Sequence, residues 1–362
     1  MPTTARGLVF PAPGEVALET FEVPDPGRHQ VLLRTTRSLV SAGTEVSGLL
    51  GGGAAPGRFP VRPGYSSVGV VVAAGAGVRG LAPGDRVLSG GRHASHVLLD
   101  VDPEAAAEGA DARDRPAGRA PARGAGGAVP VPAGVGDDAA AFAVLGAVAL
   151  HGFRKVAFQP GESCAVVGLG VVGQLLVQLA RAAGARPVVG IDLVASRLER
   201  ARTSGAHAVV DASGLDAAGV EAAVLALTAG RGADVGFEAT RTPQAFPALM
   251  RLAALGGRVV VVGSIHATAE LRLFDDLQRK ELTLIGAWQP RAPLAPHPYA
   301  RWTQTANRAL FLEQVRHGTL AVDHLISHRA RPEDAPALYA EMAAGPGDWL
   351  GVVLVWDGAA PA

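Results

Sequence analysis

Ser163-Cys164-Ala165-Val166-Val167-Gly168-Leu169-Gly170-Val171-Val172-Gly173-Gln174-Leu175-Leu176 decides how the rest of the chain is read. A short apolar run of strand length meets Gly-x-Gly-x-x-Gly and opens an apolar helix. In that setting Gly168 makes the turn, Gly170 lets backbone approach a pyrophosphate, and Gly173 permits close packing of helix on sheet. Val172 lies in the first helical turn, whose free N–H groups and positive dipole end face the phosphates. A chain with 47 glycines can match this pattern by chance, so context carries the reading. Asp192 follows Gly173 by nineteen residues and ends the next predicted strand, where a carboxylate accepts hydrogen bonds from an adenosine ribose. That favours NAD, because a carboxylate there repels the 2′-phosphate of NADP. Arg197, five residues on, either stacks on adenine or meets that phosphate, which keeps NADP open. The alternative is a glycine-rich turn with no ligand.

Outward from this turn, strand and helix alternate from Ala139 on, the grammar of a parallel α/β sheet. Strands are predicted at 163–168, 187–192, 208–211, 234–239, 257–263 and 282–287, and helices at 171–183, 195–205, 220–228 and 245–255. Thr240, Gly263 and Ser264 fall at or just after carboxyl ends of these strands, where ligands sit in open α/β sheets, and are assigned to the nicotinamide half. Glu238 is read as structural. Upstream, from Gly7 to Val101, short β-branched runs such as Val31-Leu32-Leu33-Arg34-Thr35-Thr36 and Val68-Gly69-Val70-Val71-Val72 alternate with Pro-Gly turns, which reads as a β-rich domain. Residues 102–128 are poor in large apolar side chains and read as a mobile surface loop. After Trp288 the alternation is lost, with one further strand at 351–356, and this tail is expected to rejoin the first domain. The expected division is 1–135, 136–290 and 291–362.

Composition narrows the function classes. A chain of 362 residues exceeds the roughly 250–300 residues at which a single core stops growing, so two domains are expected. Lysine plus arginine balance aspartate plus glutamate at 33 each, leaving no basic footprint for nucleic acid or an anionic membrane. The first twenty residues lack a charged-then-apolar leader, and the chain is read as cytoplasmic, with a small molecule as its partner. The single cysteine, Cys164, can form neither an internal disulfide nor a thiolate metal site and reads as a core residue.

Five stretches together resemble the medium-chain dehydrogenase/reductase family over nearly the whole chain. They are Ser41-Ala42-Gly43-Thr44-Glu45, Pro63-Gly64-Tyr65-Ser66-Ser67-Val68-Gly69, Pro83-Gly84-Asp85-Arg86-Val87, the glycine turn, and Gly256-Gly257-Arg258-Val259-Val260-Val261-Val262-Gly263. The resemblance implies an α/β fold: a doubly wound Rossmann domain inserted in a GroES-like β-rich substrate domain, with the active site in the cleft. Zinc-dependent members carry Cys-Gly-Thr-Asp and Gly-His-Glu motifs. Here Ala42 replaces the cysteine, Tyr65 the histidine and Ser66 the glutamate, and Val144 stands at the third ligand position, so no zinc is expected. His93 and His96 lie on one predicted strand, where residues three apart point to opposite faces. His324 and His328, which could share a helical face, read as structural or surface residues. The Ser-Ala-Gly-Thr-Glu and Gly-Tyr-Ser pairing, with Gly286-Ala287-Trp288-Gln289-Pro290 and Trp302, is similar to the branch containing bacteriochlorophyllide hydroxyethyl dehydrogenase, which acts on secondary alcohols or ketones.

Without zinc, something else must meet the charge that develops on oxygen as hydride moves. Tyr65 is the expected hydrogen-bond donor and Thr44 its relay; the plain alternatives are an aromatic that fills the vacated site and a hydroxyl that caps a short helix. Glu45 is expected to orient the loop. His93, Trp288, Gln289 and Trp302 are the expected substrate contacts, suited to a sugar, cyclitol or specialised metabolite. Two other functions stay open: a zinc-free quinone or enoyl reductase, and a non-catalytic dinucleotide-binding protein. A homodimer is expected through the apolar strand Leu282-Thr283-Leu284-Ile285-Gly286-Ala287.

Overall fold

The computed structural model describes residues 2–53, 56–101, 127–345 and 347–358. The predicted loop at 102–128 therefore lies almost wholly outside the described residues. Two compact units form: Met1–Leu145 with Ala292–His317 and Ile326–Ala362, and Gly146–Arg291 with Gly318–Leu325. The junctions thus fall at 145/146 and 291/292, and a short segment of the tail joins the second unit rather than the first.

The second unit is a six-stranded sheet. Its strands lie in the order Ala208–Asp211, Val188–Asp192, Cys164–Val167, Ala233–Glu238, Ala253–Val261, Thr283–Gly286, every neighbouring pair parallel. Numbered along the unit this is 3-2-1-4-5-6, the doubly wound Rossmann order, and its direction reverses between the strand before the glycine turn and the strand ending at Glu238. Val188–Asp192 is buried at every position, as a central parallel strand covered on both faces must be. Ala165, Val189, Ile191, Val210, Val224, Leu249, Met250 and Val259 build the core. Cys164 is a buried free thiol there, with its pKa pushed up by burial and then by Glu162.

The first unit is a mixed sheet with an added hairpin. Gln30–Val40 is its long central strand, pairing antiparallel with Ser67–Ala74, His96–Asp100 and Gly351–Val355. Its side chains alternate between cores: Val31 and Leu33 enter one apolar cluster, and Leu32 packs in another with Ala5 and Val23, as the period of two requires. One expectation needs correction here. The tail holds more than one strand: helices span Gln304–Arg316 and Ala335–Ala343, and a strand Ile326–Ala330 pairs parallel with Gly351–Val355. His324 and His328 do not share a helix; His324 lies in the short turn Asp323–Leu325 and bonds Ser204, whereas His328 lies on the strand and bonds Ser327.

Candidate active site

In the second unit the glycine turn is shaped by what each glycine must avoid. Gly168 has φ +89°, a left-handed conformation that favours glycine, and a Cβ there would meet Thr240 Cγ2 at 2.6 Å. A Cβ on Gly173 would overlap the Gly168 carbonyl oxygen, so this glycine lets the helix Val171–Ala182 sit against the turn. Gly170 is different: nothing lies within 4 Å of a Cβ built on it. Gly170 is also the N-cap of that helix and offers no side-chain cap, leaving first-turn N–H groups, beside half-buried Val172, for an anion.

Asp192 is buried and heavily used. Its Oδ2 accepts from the Leu169 N–H at 2.6 Å, and its Oδ1 from the Leu193 and Val194 N–H groups at 2.8 and 2.9 Å. The carboxylate thus ties the glycine turn to the end of the neighbouring strand, with Arg197 Nη1 4.0 Å from Oδ2. Gln174 tightens the same corner by donating to Leu169 O and Arg197 O and accepting from Ser204. Thr240 stands beside Gly168, and a Cβ on Gly263 would collide with Thr240 O. Gly168, Thr240 and Gly263 therefore converge at the carboxyl ends of the strands, with Ser264 exposed one residue further on. These residues fit a dinucleotide: an open glycine, uncapped N–H groups and a fixed carboxylate at one edge.

The first unit carries the oxygen-handling candidates. Thr44 is in the helix Ala42–Leu49 and is half-buried, and Tyr65 is half-buried as well. Next to them lies a polar network inside the core. Glu45 Oε2 is 2.9 Å from His93 Nε2 and accepts from Tyr339 OH at 2.5 Å, while Oε1 accepts from the Ser41 N–H at 2.8 Å. His93 Nδ1 meets Ser38 Oγ at 2.8 Å, and Trp356 Nε1 donates to the same hydroxyl at 2.8 Å. Glu45, His93 and Tyr339 are all essentially inaccessible. Burial by itself would raise the Glu45 carboxyl, but attraction to His93 and the hydrogen bonds from His93, Tyr339 and Ser41 override it and hold the group below its ordinary range. Burial, and then Glu45, push the Tyr339 phenol well up, with Tyr65 adding to the effect.

His93 was expected to touch substrate; the structure instead places it in this buried network, with both ring nitrogens taken. It precedes its strand, which begins at His96 and not at 93. The backbone explains its role: His93 N donates to Pro63 O, and a Cβ on Gly64 would press into the His93 ring, so the ring lies directly beneath the segment that presents Tyr65. Of the three positions that the resemblance assigns to zinc ligands, Ala42 and Val144 have apolar side chains and Tyr65 a phenol; the neighbouring Ser66 hydroxyl donates to Ala141 O at 2.5 Å. Among the described residues no group of three His, Cys, Asp or Glu is arranged to hold a metal. Of the remaining substrate candidates, Trp288 is exposed beside Arg291 and Gln289 is buried in the second unit, whereas Trp302 belongs to the first. No described helix is long and apolar enough to cross a membrane.

Residues 171–306 match the family model described as zinc-binding dehydrogenase. D-guloside 3-dehydrogenase of Escherichia coli K12 is 30% identical over 195 residues, 53% of this chain and 54% of that protein. The chain therefore spans about half the length of that curated relative. 2-desacetyl-2-hydroxyethyl bacteriochlorophyllide A dehydrogenase of Cereibacter sphaeroides is 27% identical over 365 residues, 98% of this chain and 99% of that protein. Among solved structures, a Sinorhizobium meliloti 1021 protein assigned as a zinc-binding dehydrogenase and bound to NADP has a TM-score of 0.76 at 24% identity, covering 98% of this chain and 99% of that one.

Proposed function

We propose that this chain, a relative of the medium-chain, zinc-binding-type dehydrogenases, is an oxidoreductase that moves hydride between a nicotinamide cofactor and a secondary alcohol or its ketone without a metal ion. The observation that carries the cofactor half is the contrast within the glycine turn: Gly173 packed against Gly168, Gly170 facing open space. Such a turn receives a pyrophosphate, and Asp192 marks the ribose edge. NAD is the proposed cofactor. NADP is the alternative, favoured by the proximity of Arg197 to Asp192 and by the ligand of the S. meliloti neighbour. The cofactor, when bound, supplies or accepts the hydride; the residues of the chain position it and handle the proton.

Metal independence rests on the chemistry of the side chains. Ala42 and Val144 offer nothing to zinc, and no step is routed through that ion. The proposed proton donor is Tyr65, whose phenol stabilises charge developing on the substrate oxygen, with Thr44 as second donor or relay. Glu45 and His93 hold this face in place from beneath. One relative is a D-guloside 3-dehydrogenase and another a 2-desacetyl-2-hydroxyethyl bacteriochlorophyllide A dehydrogenase, which supports a polyhydroxylated or ring-shaped substrate for this chain. Trp288, Gln289 and Trp302 are the proposed contacts with it, and a homodimer through the edge strand Thr283–Gly286 is the proposed assembly. The test is oxidation of NADH and NADPH by purified protein with panels of ketones, quinones and enones. Ketone-dependent turnover with NADH supports the reading; turnover confined to enones or quinones transfers it to the reductase class, and binding without turnover to a non-catalytic role.

A further inference from the structure

Glu238 is left without a part in the scheme above. It ends the central strand, paired with Val167 on one side and Val261 on the other, at the point where the sheet order reverses, and it is fully buried. Its Oε1 accepts from the Thr240 N–H and from Thr240 Oγ1, both at 2.5 Å. Its Oε2 has no hydrogen-bond partner and lies over Gly263, where a Cβ would come within 2.6 Å of it. The groups that act on this carboxyl are the Thr240 hydroxyl and N–H and, least of all, the Gly263 N–H, which is spent on the Glu238 backbone carbonyl at 2.9 Å; none of them is charged.

An anion with one oxygen stranded away from water is costly. The neutral acid fits the same contacts: the proton sits on Oε2, and Oε1 remains the carbonyl acceptor for both Thr240 donors. Burial raises the Glu238 carboxyl above its ordinary range against the opposing pull of Thr240 and Gly263. The same corner, Gly168 with Thr240 and Gly263, is where the nicotinamide end of the cofactor is proposed to lie. The oxidised ring is a cation and the reduced ring is neutral. A nearby positive charge in a low-dielectric setting favours the ionised form of a carboxyl.

We infer that Glu238 is a neutral acid in the free protein and ionises when the oxidised nicotinamide binds, so that uptake of the oxidised cofactor, and not of the reduced one, releases a proton. This rests on the nicotinamide reading of the strand ends. Thr240, half-buried, keeps its hydroxyl and N–H on Oε1 and also accepts from the Thr242 N–H, so both donors stay in place on the carboxylate once the Oε2 proton has left.

The test is calorimetric titration of the full-length protein with NAD⁺ and with NADH, in buffers of different ionisation enthalpy and across pH, together with infrared difference spectra. Release of about one proton is expected with NAD⁺ and none with NADH, so NAD⁺ affinity rises by up to about tenfold per pH unit while NADH affinity stays flat. A protonated-carboxyl band present in the free protein disappears on NAD⁺ addition. Glu238→Gln removes both the band and the difference in proton release. Equal proton release with the two cofactors, or a difference that persists in Glu238→Gln, overturns the inference. Should that variant not fold, Thr240→Ala decides: loss of a donor to the carboxylate moves the pH dependence upward, and an unmoved profile counts against Glu238 as the source. Binding of both cofactors with equal proton release sinks this inference alone; binding of neither sinks the nicotinamide reading as well.

Discussion

Removing a single oxygen from Tyr65 separates a hydrogen-bond donor from an aromatic that only fills space. Tyr65→Phe is predicted to lower turnover about 10² to 10³-fold with NADH affinity unchanged in a fluorescence titration; full turnover would remove Tyr65 from the chemistry. Beneath it, the Glu45 network makes a prediction in pH. The folded Glu45 carboxyl lies below its ordinary value of 4.5, so its contribution to stability is complete above that value and is lost as pH falls through the folded one. Tyr339 has the opposite sign: its folded value lies above 10.0, so its contribution is complete below 10.0 and is lost as pH rises towards the folded value. Glu45→Gln should flatten the acid limb of a melting-temperature profile, and an unchanged limb would contradict the assignment. Thr44 and Tyr65 could be singled out as candidates because they sit in short local motifs. Glu45 was not legible as a buried anion, because Tyr339 lies 294 residues away and adjacency in sequence says nothing of such a contact. Glu238 was seen, but its orphaned oxygen is a property of packing that no local pattern encodes.

The turn between strand and helix supplies a paired test at the scale of the element. Gly170→Ala meets no atom within 4 Å and leaves the fold intact, yet the new methyl stands where a phosphate approaches; cofactor affinity should fall at least about tenfold, or about 1.4 kcal/mol, with melting unchanged. Gly173→Ala instead collides with the Gly168 carbonyl and should destabilise the unit by about 1 to 3 kcal/mol. Equal effects of both on melting would refute the division of labour. All six strands of the second unit were legible, since apolar runs at regular spacing with helices between them leave few other arrangements. Boundaries were less so: the predicted helix at 245–255 ends at Leu252, and Ala253 begins the next strand, because Ala253-Ala254-Leu255 suits a helix equally well until the sheet claims it. The helix Gln304–Arg316 escaped notice because Asn307 and Arg308 occupy buried positions and blur its apolar stripe. Its cap was readable, though: Thr303 Oγ1 accepts from the Ala306 N–H at 2.9 Å, a helix-start signal.

Across the whole molecule, the sequence carried the β-rich first unit and the parallel α/β second unit together, because the change from alternating to strand-and-helix grammar is a long-range signal; the strand order came only with the structure. Its tail returned to the first unit with more structure than read, held partly by ion pairs: Asp138 bonds Arg37 and Arg329, each at 2.6 Å, and Arg37 also meets Asp357 at 2.9 Å. The strand Thr283–Gly286 ends its sheet with mostly exposed side chains, an edge that calls for cover. Sedimentation at micromolar concentration is predicted to show a dimer, which Leu284→Lys converts to monomer; a wild-type monomer would contradict that assembly. Hydride transfer without a metal is tested by turnover of exhaustively chelated, metal-assayed protein with NAD⁺ and its best secondary alcohol. The full rate should survive chelation, and added zinc should not raise it. Loss of turnover on chelation with recovery on zinc would contradict it.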